Sequence, residues 1–121
     1  MNDKNLIVTK SYAFALLVIE LYQFLCDEKK EFVLSKQLLR AGTSIGANVN
    51  EAQAAISKKE FISKMSIASK EARESKYWLS LLRDSGYIHH QKQKVKILFD
   101  EIDSINKILT SIVKSGQENE K

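Results

Sequence analysis

The sequence contains no proline, and only four of its 121 residues are glycine. Tight turns and β-hairpins depend on these two residue types, so their scarcity argues against a β-rich fold. The lack of proline also leaves helical backbone uninterrupted, because proline removes a backbone donor and breaks helices. The sequence therefore predicts long helices joined by short connections.

Cysteine and histidine are also scarce. Cys26 is the single cysteine, so neither an internal disulfide nor a cysteine-based metal site can form, and a cytoplasmic location is expected. The only histidines, His89 and His90, are adjacent, and no Glu-x-x-His pair of the kind found in di-metal bundles is present. Neither histidine lies in a predicted helix from which it could activate a serine. These absences favour a protein without catalytic residues, metal or cofactor.

Composition indicates one folded domain with a mixed surface. Hydrophobic residues make up 44% of the chain and charged residues 28%, which suits a packed core inside a solvated shell. The formal net charge of +4 permits anionic partners, although 15 acidic residues are dispersed among 19 basic ones. We expect residues 1–115 to form the domain and residues 116–121 to form a polar tail.

The longest apolar stretch, YAFALLVIELYQFLC, could be a signal peptide or a membrane span. Glu20 and Gln23 interrupt it, no small-residue cleavage site follows, and it is short and polar for a bilayer. Two stripes run along it at helical spacing: Tyr12, Leu16, Ile19 and Tyr22, and beside them Phe14, Leu17, Leu21 and Leu25. We expect a helix buried on two sides, or buried in its own bundle and against another subunit, with no membrane contact.

Helical periodicity predicts four helices, at about residues 6–26, 36–56, 58–84 and 92–114. Ser35 is placed to cap the second helix, and Ser57 with Glu60 has the spacing of a capping box for the third. Short polar connections place successive helices antiparallel to each other. The predicted fold is therefore all-α, an antiparallel up-down-up-down four-helix bundle.

The stretch LLRAGTSIGANVNEAQAA is the least helical by composition, because each interior glycine costs about 1 kcal/mol relative to alanine. A heptad stripe nevertheless passes through it: Leu38, Ala41, Ile45, Asn48 and Ala52. Gly42 and Gly46 lie four residues apart on one face, where a neighbouring helix can approach closely. We expect a helix whose close packing offsets its poor propensity; a weak, bent helix is the alternative.

The last two helices have the most regular apolar stripes. The stripe of the third helix is Phe61, Met65, Ala68, Ala72, Ser75, Leu79 and Leu82. The stripe of the fourth is Val95, Leu98, Ile102, Ile105, Leu109 and Ile112. On the outer faces, Glu60 with Lys64 and Asp103 with Lys107 have the spacing of ion pairs within one helix.

A candidate polar site combines the second and third helices. Its members are Arg40, Ser44, Asn48, Glu51 and Glu71. The first four fall near one helix face, from which Arg40 can bridge to Glu71 or Glu51. Such a cluster is either a binding groove for a partner or ligand, or a network that fixes helix register. The residues alone favour the structural network.

A candidate basic patch lies at the end of the bundle where the first and third connections meet. Its members are Lys29, Lys30, Tyr87, His89, His90, Lys92, Lys94 and Lys96. No acidic residue occurs from residue 85 to residue 99, and Tyr87 is available for stacking on a base. Asp27, Glu28 and Glu31 lie at the same end and reduce the net charge there. The patch is therefore either a nucleic-acid contact or a solvated cap, and the cap is favoured.

Trp78 and Leu81 lie beside the stripe of the third helix rather than on it. They are candidate contacts with a neighbouring subunit, although they would equally extend the core. Together with the two apolar stripes of the first helix, they favour a homo-oligomer.

An ordered set of residues in the middle of the chain is characteristic: Arg40, Ser44, Ile45, Asn48, Glu51, Phe61, Ala68, Glu71, Leu79, Gly86 and Tyr87. Over about residues 31–88 the chain resembles the bacterial four helix bundle protein family. Early members of that family are encoded in intervening sequences of 23S ribosomal RNA genes. The chain departs from many relatives at Gly46, where they have proline, and at Ala52, where they have glycine. These departures concern local helix geometry and not the fold.

The resemblance implies a four-helix bundle that often assembles into a homopentamer. It also implies a distant relation to the accessory variability determinant of diversity-generating retroelements, a basic pentameric bundle that binds a reverse transcriptase and nucleic acid. For most of the family no biochemical activity is assigned. We therefore expect a non-enzymatic scaffold or adaptor that presents helical faces to a protein partner. The alternative is a nucleic-acid-binding accessory protein that acts through the basic end.

Overall fold

The computed structural model describes residues 2–119, which form an antiparallel up-down-up-down bundle of four helices, as predicted. The helices are α1 (Asp3–Asp27), α2 (Leu34–Gln53), α3 (Lys58–Asp84) and α4 (Gln93–Asn119). Each helix packs on the next, and α1 also packs on α4, which closes the bundle. The connections at 28–33 and 85–92 therefore lie at the same end.

The stripes predicted for α3 and α4 form the core. All of their members from Met65 to Leu82 and from Val95 to Ile112 are buried. The first predicted member, Phe61, is only partly buried and packs against the edge of the core, while the neighbouring Ile62 is buried. Both helices thus follow the period of 3.6 residues, and the deviation is limited to the first turn of α3.

The predicted stripe of α2 is confirmed at four positions and wrong at Asn48. Val49 is buried in its place, while Asn48 is half-buried. The Asn48 amide donates to the Ser44 carbonyl oxygen at 2.9 Å and to the Ser44 hydroxyl at 3.1 Å. Because the amide is satisfied within its own helix, it needs no partner across the core. The heptad stripe shifts by one residue at this point.

The glycines of α2 face α1, as the close-packing prediction requires. A Cβ atom built on Gly42 would lie 2.9 Å from Val18 Cγ2, closer than side chains pack. A Cβ atom on Gly46 would lie 3.4 Å from the Ser11 carbonyl oxygen, close to ordinary contact. The missing side chains let the two helices approach each other, so contact area offsets poor helix propensity.

The start of α2 differs from the prediction. The helix begins at Leu34, and Ser35 is not its cap but a buried residue of its first turn. The Glu31 carboxylate accepts hydrogen bonds from the backbone amides of Val33 (3.1 Å), Leu34 (3.1 Å) and Ser35 (2.7 Å). A longer side chain placed upstream thus satisfies the free amides of the helix end.

The start of α3 confirms half of the predicted capping box. The Ser57 hydroxyl accepts from the Glu60 amide at 3.0 Å. The Glu60 carboxylate, however, accepts from the amide of Ile56 at 3.1 Å and not from that of Ser57. The other helix bounds differ by a few residues from the predicted ones.

The end of α4 extends further than predicted. The helix continues to Asn119, so residues 116–119 of the predicted polar tail are helical; residues 120 and 121 lie outside the described part. Gly116 contributes to this extension by packing: a Cβ atom there would lie 2.8 Å from Ile62 Cγ1. The contact of Gly116 with α3 supports a last turn that has little apolar sequence of its own.

Helix α1 buries one of its two predicted stripes. Phe14, Leu21 and Leu25 are buried, whereas Tyr12 and Leu16 are exposed. By length and composition alone, and contrary to expectation, α1 could span a membrane, with a mean hydropathy of 1.3 over 18 residues. Core helices of soluble proteins and N-terminal signal sequences meet the same criterion.

Candidate binding surfaces

The described chain shows no arrangement suited to metal chemistry. Within residues 2–119, no three side chains of histidine, cysteine, aspartate or glutamate lie close enough to hold a metal ion. His89 and His90 are both exposed in the connection between α3 and α4. The features that remain as candidates are surfaces: a polar cluster, two cationic surfaces and one apolar face.

The polar cluster is centred on Arg40, which joins α2 to α3. Its guanidinium donates to the Glu71 carboxylate at 3.2 Å and also pairs with Glu74. Glu74 in turn accepts from the indole nitrogen of Trp78 at 3.0 Å. Half of the Arg40 side chain is exposed, so water screens these ion pairs and weakens them. These contacts orient the Trp78 side chain and link α2 to α3.

The other predicted members of this cluster lie apart from Arg40. Ser44 and Asn48 bond to each other along one helix, as described above. Glu51 pairs with Lys64 of α3 at 3.4 Å. The structure thus divides the five predicted residues among three local contacts, and the Arg40 contact also includes Glu74. Glu74 lies one position before Ser75 of the core stripe, which places it at the edge of the interface.

At the basic end, α1 and α4 leave an open groove of about 540 Å³ between them. We call it the end groove. Its rim carries five residues of the predicted basic patch: Lys29, Tyr87, His89, Lys92 and Lys94. Its floor is apolar and was not foreseen from the sequence; it includes Leu17, Leu21, Phe24, Ile88, Val95 and Leu98.

The remaining members of the basic patch lie outside the lining of the end groove. Lys30, His90 and Lys96 are all exposed. Lys30 has a positive φ of 54°, in the left-handed region of backbone conformation that residues other than glycine seldom adopt. The turn at Lys30 lets the chain reverse between α1 and α2. Asp27 and Glu28 are exposed nearby, whereas Glu31 is turned inward to cap α2.

A second cationic surface runs along α3 and α4, and sequence reasoning did not find it. This shallow α3–α4 surface brings together Arg73, Lys76, Tyr77, Lys107 and Lys114. The acid among its lining residues, Asp103, pairs with Lys76 at 2.6 Å. The contributing residues lie on two helices that are distant in sequence, so only the packed bundle reveals the surface.

The apolar face consists of the exposed stripe of α1. Tyr12 is 68% exposed, Leu16 53% and Ile19 37%, and Val8 continues the stripe towards the N-terminus. We call these residues the α1 face. A contiguous row of large exposed apolar side chains is a feature of interaction sites. Trp78 and Leu81, predicted as subunit contacts, are half-buried, and Trp78 packs against the core.

Comparison with known proteins places the chain in a family. The sequence profile described as 23S rRNA-intervening sequence protein matches residues 3–111. The crystal structure of a protein of unknown function from the S23 ribosomal protein family of Bacteroides thetaiotaomicron superposes with a TM-score of 0.88. It shares 47% sequence identity, and the alignment covers 93% of this chain and 99% of the other. No functionally curated protein matches the chain. The chain belongs to the 23S rRNA-intervening sequence protein family.

Proposed function

We propose that this protein is a non-enzymatic scaffold that self-assembles through the α1 face and presents its remaining helical surfaces to a protein partner. The α1 face carries the proposal. Its side chains lie on the outside of a bundle whose core is already filled, so they contribute little to the stability of the isolated chain. Burial between copies would remove this apolar area from water, which favours association. The family resemblance favours a ring of this kind with five copies.

The test is the native mass of the particle, measured by light scattering coupled to size exclusion. We expect the wild type to form a defined oligomer and Leu16→Glu to run as a monomer of 13.8 kDa. Burying an unpaired carboxylate and losing the leucine contact would raise the dissociation constant by about a hundredfold or more. Ile56→Glu is the matched control, because Ile56 is 95% exposed in the connection between α2 and α3.

A monomeric wild type at micromolar concentration would overturn the assembly proposal. Equal dissociation by Leu16→Glu and Ile56→Glu would show that the α1 face is not the contact. Flotation of the wild type, but not of Leu16→Glu, with lipid vesicles would instead assign the α1 face to a membrane surface.

The second candidate function is nucleic-acid binding, and the two cationic surfaces favour it. The rim of the end groove and the α3–α4 surface each combine several lysine or arginine side chains with a tyrosine. Phosphates attract such cations, and a tyrosine ring can stack on an unpaired base.

Binding of a fluorescent single-stranded RNA tests this candidate. If it is correct, the affinity falls steeply between low and physiological salt, because bound cations release counterions from the phosphates. Replacing Lys107 and Lys114 by glutamine probes the α3–α4 surface, and replacing Lys92 and Lys94 probes the end groove. If only one of the two double substitutions weakens RNA binding, that result identifies the surface that makes the contact. An affinity that does not change with salt would contradict phosphate recognition.

A further inference from the structure

The end groove combines two features that suit a charged organic ligand: an apolar floor and a rim of cations. We propose that it binds an amphipathic organic anion, a small molecule with an alkyl or aryl body and one carboxylate, sulfonate or phosphate head. The proposal goes beyond the scaffold function and does not depend on self-assembly, because the α1 face is formed by other residues of α1.

The floor would hold the body of the ligand. Leu17 and Phe24 of α1, Leu98 of α4 and Ile88 of the connection before α4 all line the groove. The volume of about 540 Å³ lies within the range of roughly 300–1,000 Å³ that small-molecule sites occupy. Phe24 is 43% exposed, so a ligand lying against it would cover apolar surface that water now contacts.

The rim would hold the head. Within residues 2–119, neither Lys29 nor Lys92 has a carboxylate partner. Lys94 pairs with Glu20, the one acid of the lining, but the side chains are 79% and 55% exposed. Such a solvated pair is weak and exchangeable, so the head of the ligand can replace the Glu20 carboxylate at Lys94.

An apolar floor beside a cationic rim disfavours other classes of ligand. A neutral apolar molecule would gain from the floor but not from the rim, and an organic cation would be repelled by three lysines. A phosphodiester chain would engage the rim but leave the exposed ring of Phe24 in water. Charge complementarity together with the apolar floor therefore favours an amphipathic anion.

Calorimetric titration of the full chain with decanoate, decanol and decylammonium, below micelle-forming concentrations, tests the head group. We expect decanoate to bind at least about tenfold more tightly than decanol, and decylammonium not to bind. Octanoate tests the floor: removing two methylenes should weaken binding by about tenfold, since each buried methylene contributes about three- to fourfold.

Single substitutions at exposed rim positions test the location. Lys92→Glu should weaken decanoate binding about fivefold or more, whereas Glu20→Gln should strengthen it about threefold by freeing Lys94. Lys70→Glu, a charge reversal at an exposed position of α3 outside the groove, controls for net charge. Phe24→Ser should weaken binding, and Phe32→Ser, at an exposed residue outside the groove, should not.

Opposite effects of Lys92→Glu and Glu20→Gln, with no effect of Lys70→Glu, would support the end groove as the site. The proposal is wrong if decanoate does not bind, if decanol binds as tightly, or if Lys70→Glu weakens binding as much as Lys92→Glu. Native masses measured on the same samples show whether a substitution that changes decanoate binding also changes the oligomeric state. Decanoate uptake that occurs only as an oligomer dissociates would also overturn the proposal, because it would place the ligand on a subunit contact.

Discussion

Replacing Glu31 by alanine is expected to lower the thermal midpoint of the protein by about 10 °C. The substitution removes the carboxylate that accepts the amides of Val33, Leu34 and Ser35 at the start of α2. Glu31 is only 8% exposed, so water cannot fully replace these bonds. Loss of a helix cap with buried, charge-assisted hydrogen bonds costs about 2–3 kcal/mol. For a chain of this length, each kcal/mol corresponds to about 3–5 °C.

The same carboxylate makes stability depend on pH. Burial alone raises the pKa of Glu31, but the hydrogen bonds from Ser35, Leu34 and Val33 outweigh burial, so its pKa lies below the ordinary value. The contribution of Glu31 to folding is therefore complete above the unfolded-state pKa of about 4.3. It is lost as the pH falls through the lower pKa of the folded state. The stability difference between wild type and Glu31→Gln should shrink across this acidic range.

Urea unfolding at fixed protein concentration, from neutral pH down to about pH 3, measures this difference across the unfolded-state pKa. Glu28→Ala is the matched control: Glu28 is exposed in the same connection, and its loss should change stability by less than about 0.5 kcal/mol. A difference between wild type and Glu31→Gln that stays constant down to the lowest pH would contradict the capping role of an ionised Glu31.

The fold could be predicted from the sequence because its signal is repeated over many residues. The stripes of α3 and α4 recur at helical spacing through about six and five turns, so a local error at Phe61 leaves the buried face unchanged. The absence of proline and the short connections then leave few topologies open. The close approach at Gly42 and Gly46 was predictable for the same reason, because their spacing places them on one face.

Interactions between helices were less predictable, because they depend on details of packing. Lys64 pairs with Glu51 and not with Glu60 of its own helix. Asp103 likewise pairs with Lys76 of α3 and not with Lys107. Spacing within a helix shows which partners are within reach, but the neighbouring helix offers competing ones at similar distance.

The candidate surfaces were predicted only in part. The cations of the end groove were visible as a segment without acids, but its apolar floor comes from three separate segments that the sequence does not connect.

Ser35 was predicted to cap α2 because local residue preferences favour serine there. Glu31, four residues earlier, satisfies more amides because its longer side chain reaches forward to the first turn of the helix.

The α1–α2 contact gives the second large effect: Gly42→Ala should destabilise the protein by about 1–2 kcal/mol, although alanine is the better helix former. The new methyl group would lie 2.9 Å and 3.0 Å from the two methyl carbons of Val18. Val18 is fully buried and β-branched, so it has no alternative rotamer of low energy to move into. Strain therefore exceeds the gain in propensity of about 1 kcal/mol.

Gly46→Ala is the matched control, one helical turn further along the same face. Its methyl group would lie 3.4 Å from the Ser11 carbonyl oxygen, close to ordinary contact. The gain in helix propensity should then prevail, and we expect a neutral or stabilising effect of up to about 1 kcal/mol. Urea unfolding of both variants would show opposite signs if close packing at Gly42 determines the outcome. Equal stabilisation by both would mean that α1 moves away at little cost.

A double-mutant cycle with Val18→Ala separates strain from other consequences of Gly42→Ala. Val18→Ala alone should destabilise the wild type by about 1–3 kcal/mol, because it leaves a small cavity in the core. In the Gly42→Ala background the new methyl group occupies part of that space, so the same change should cost at least about 1 kcal/mol less. Additive costs would exclude direct contact between the two side chains. A favourable coupling would show that the missing side chain of Gly42 makes room for Val18, which offsets the poor helix propensity of glycine at this position.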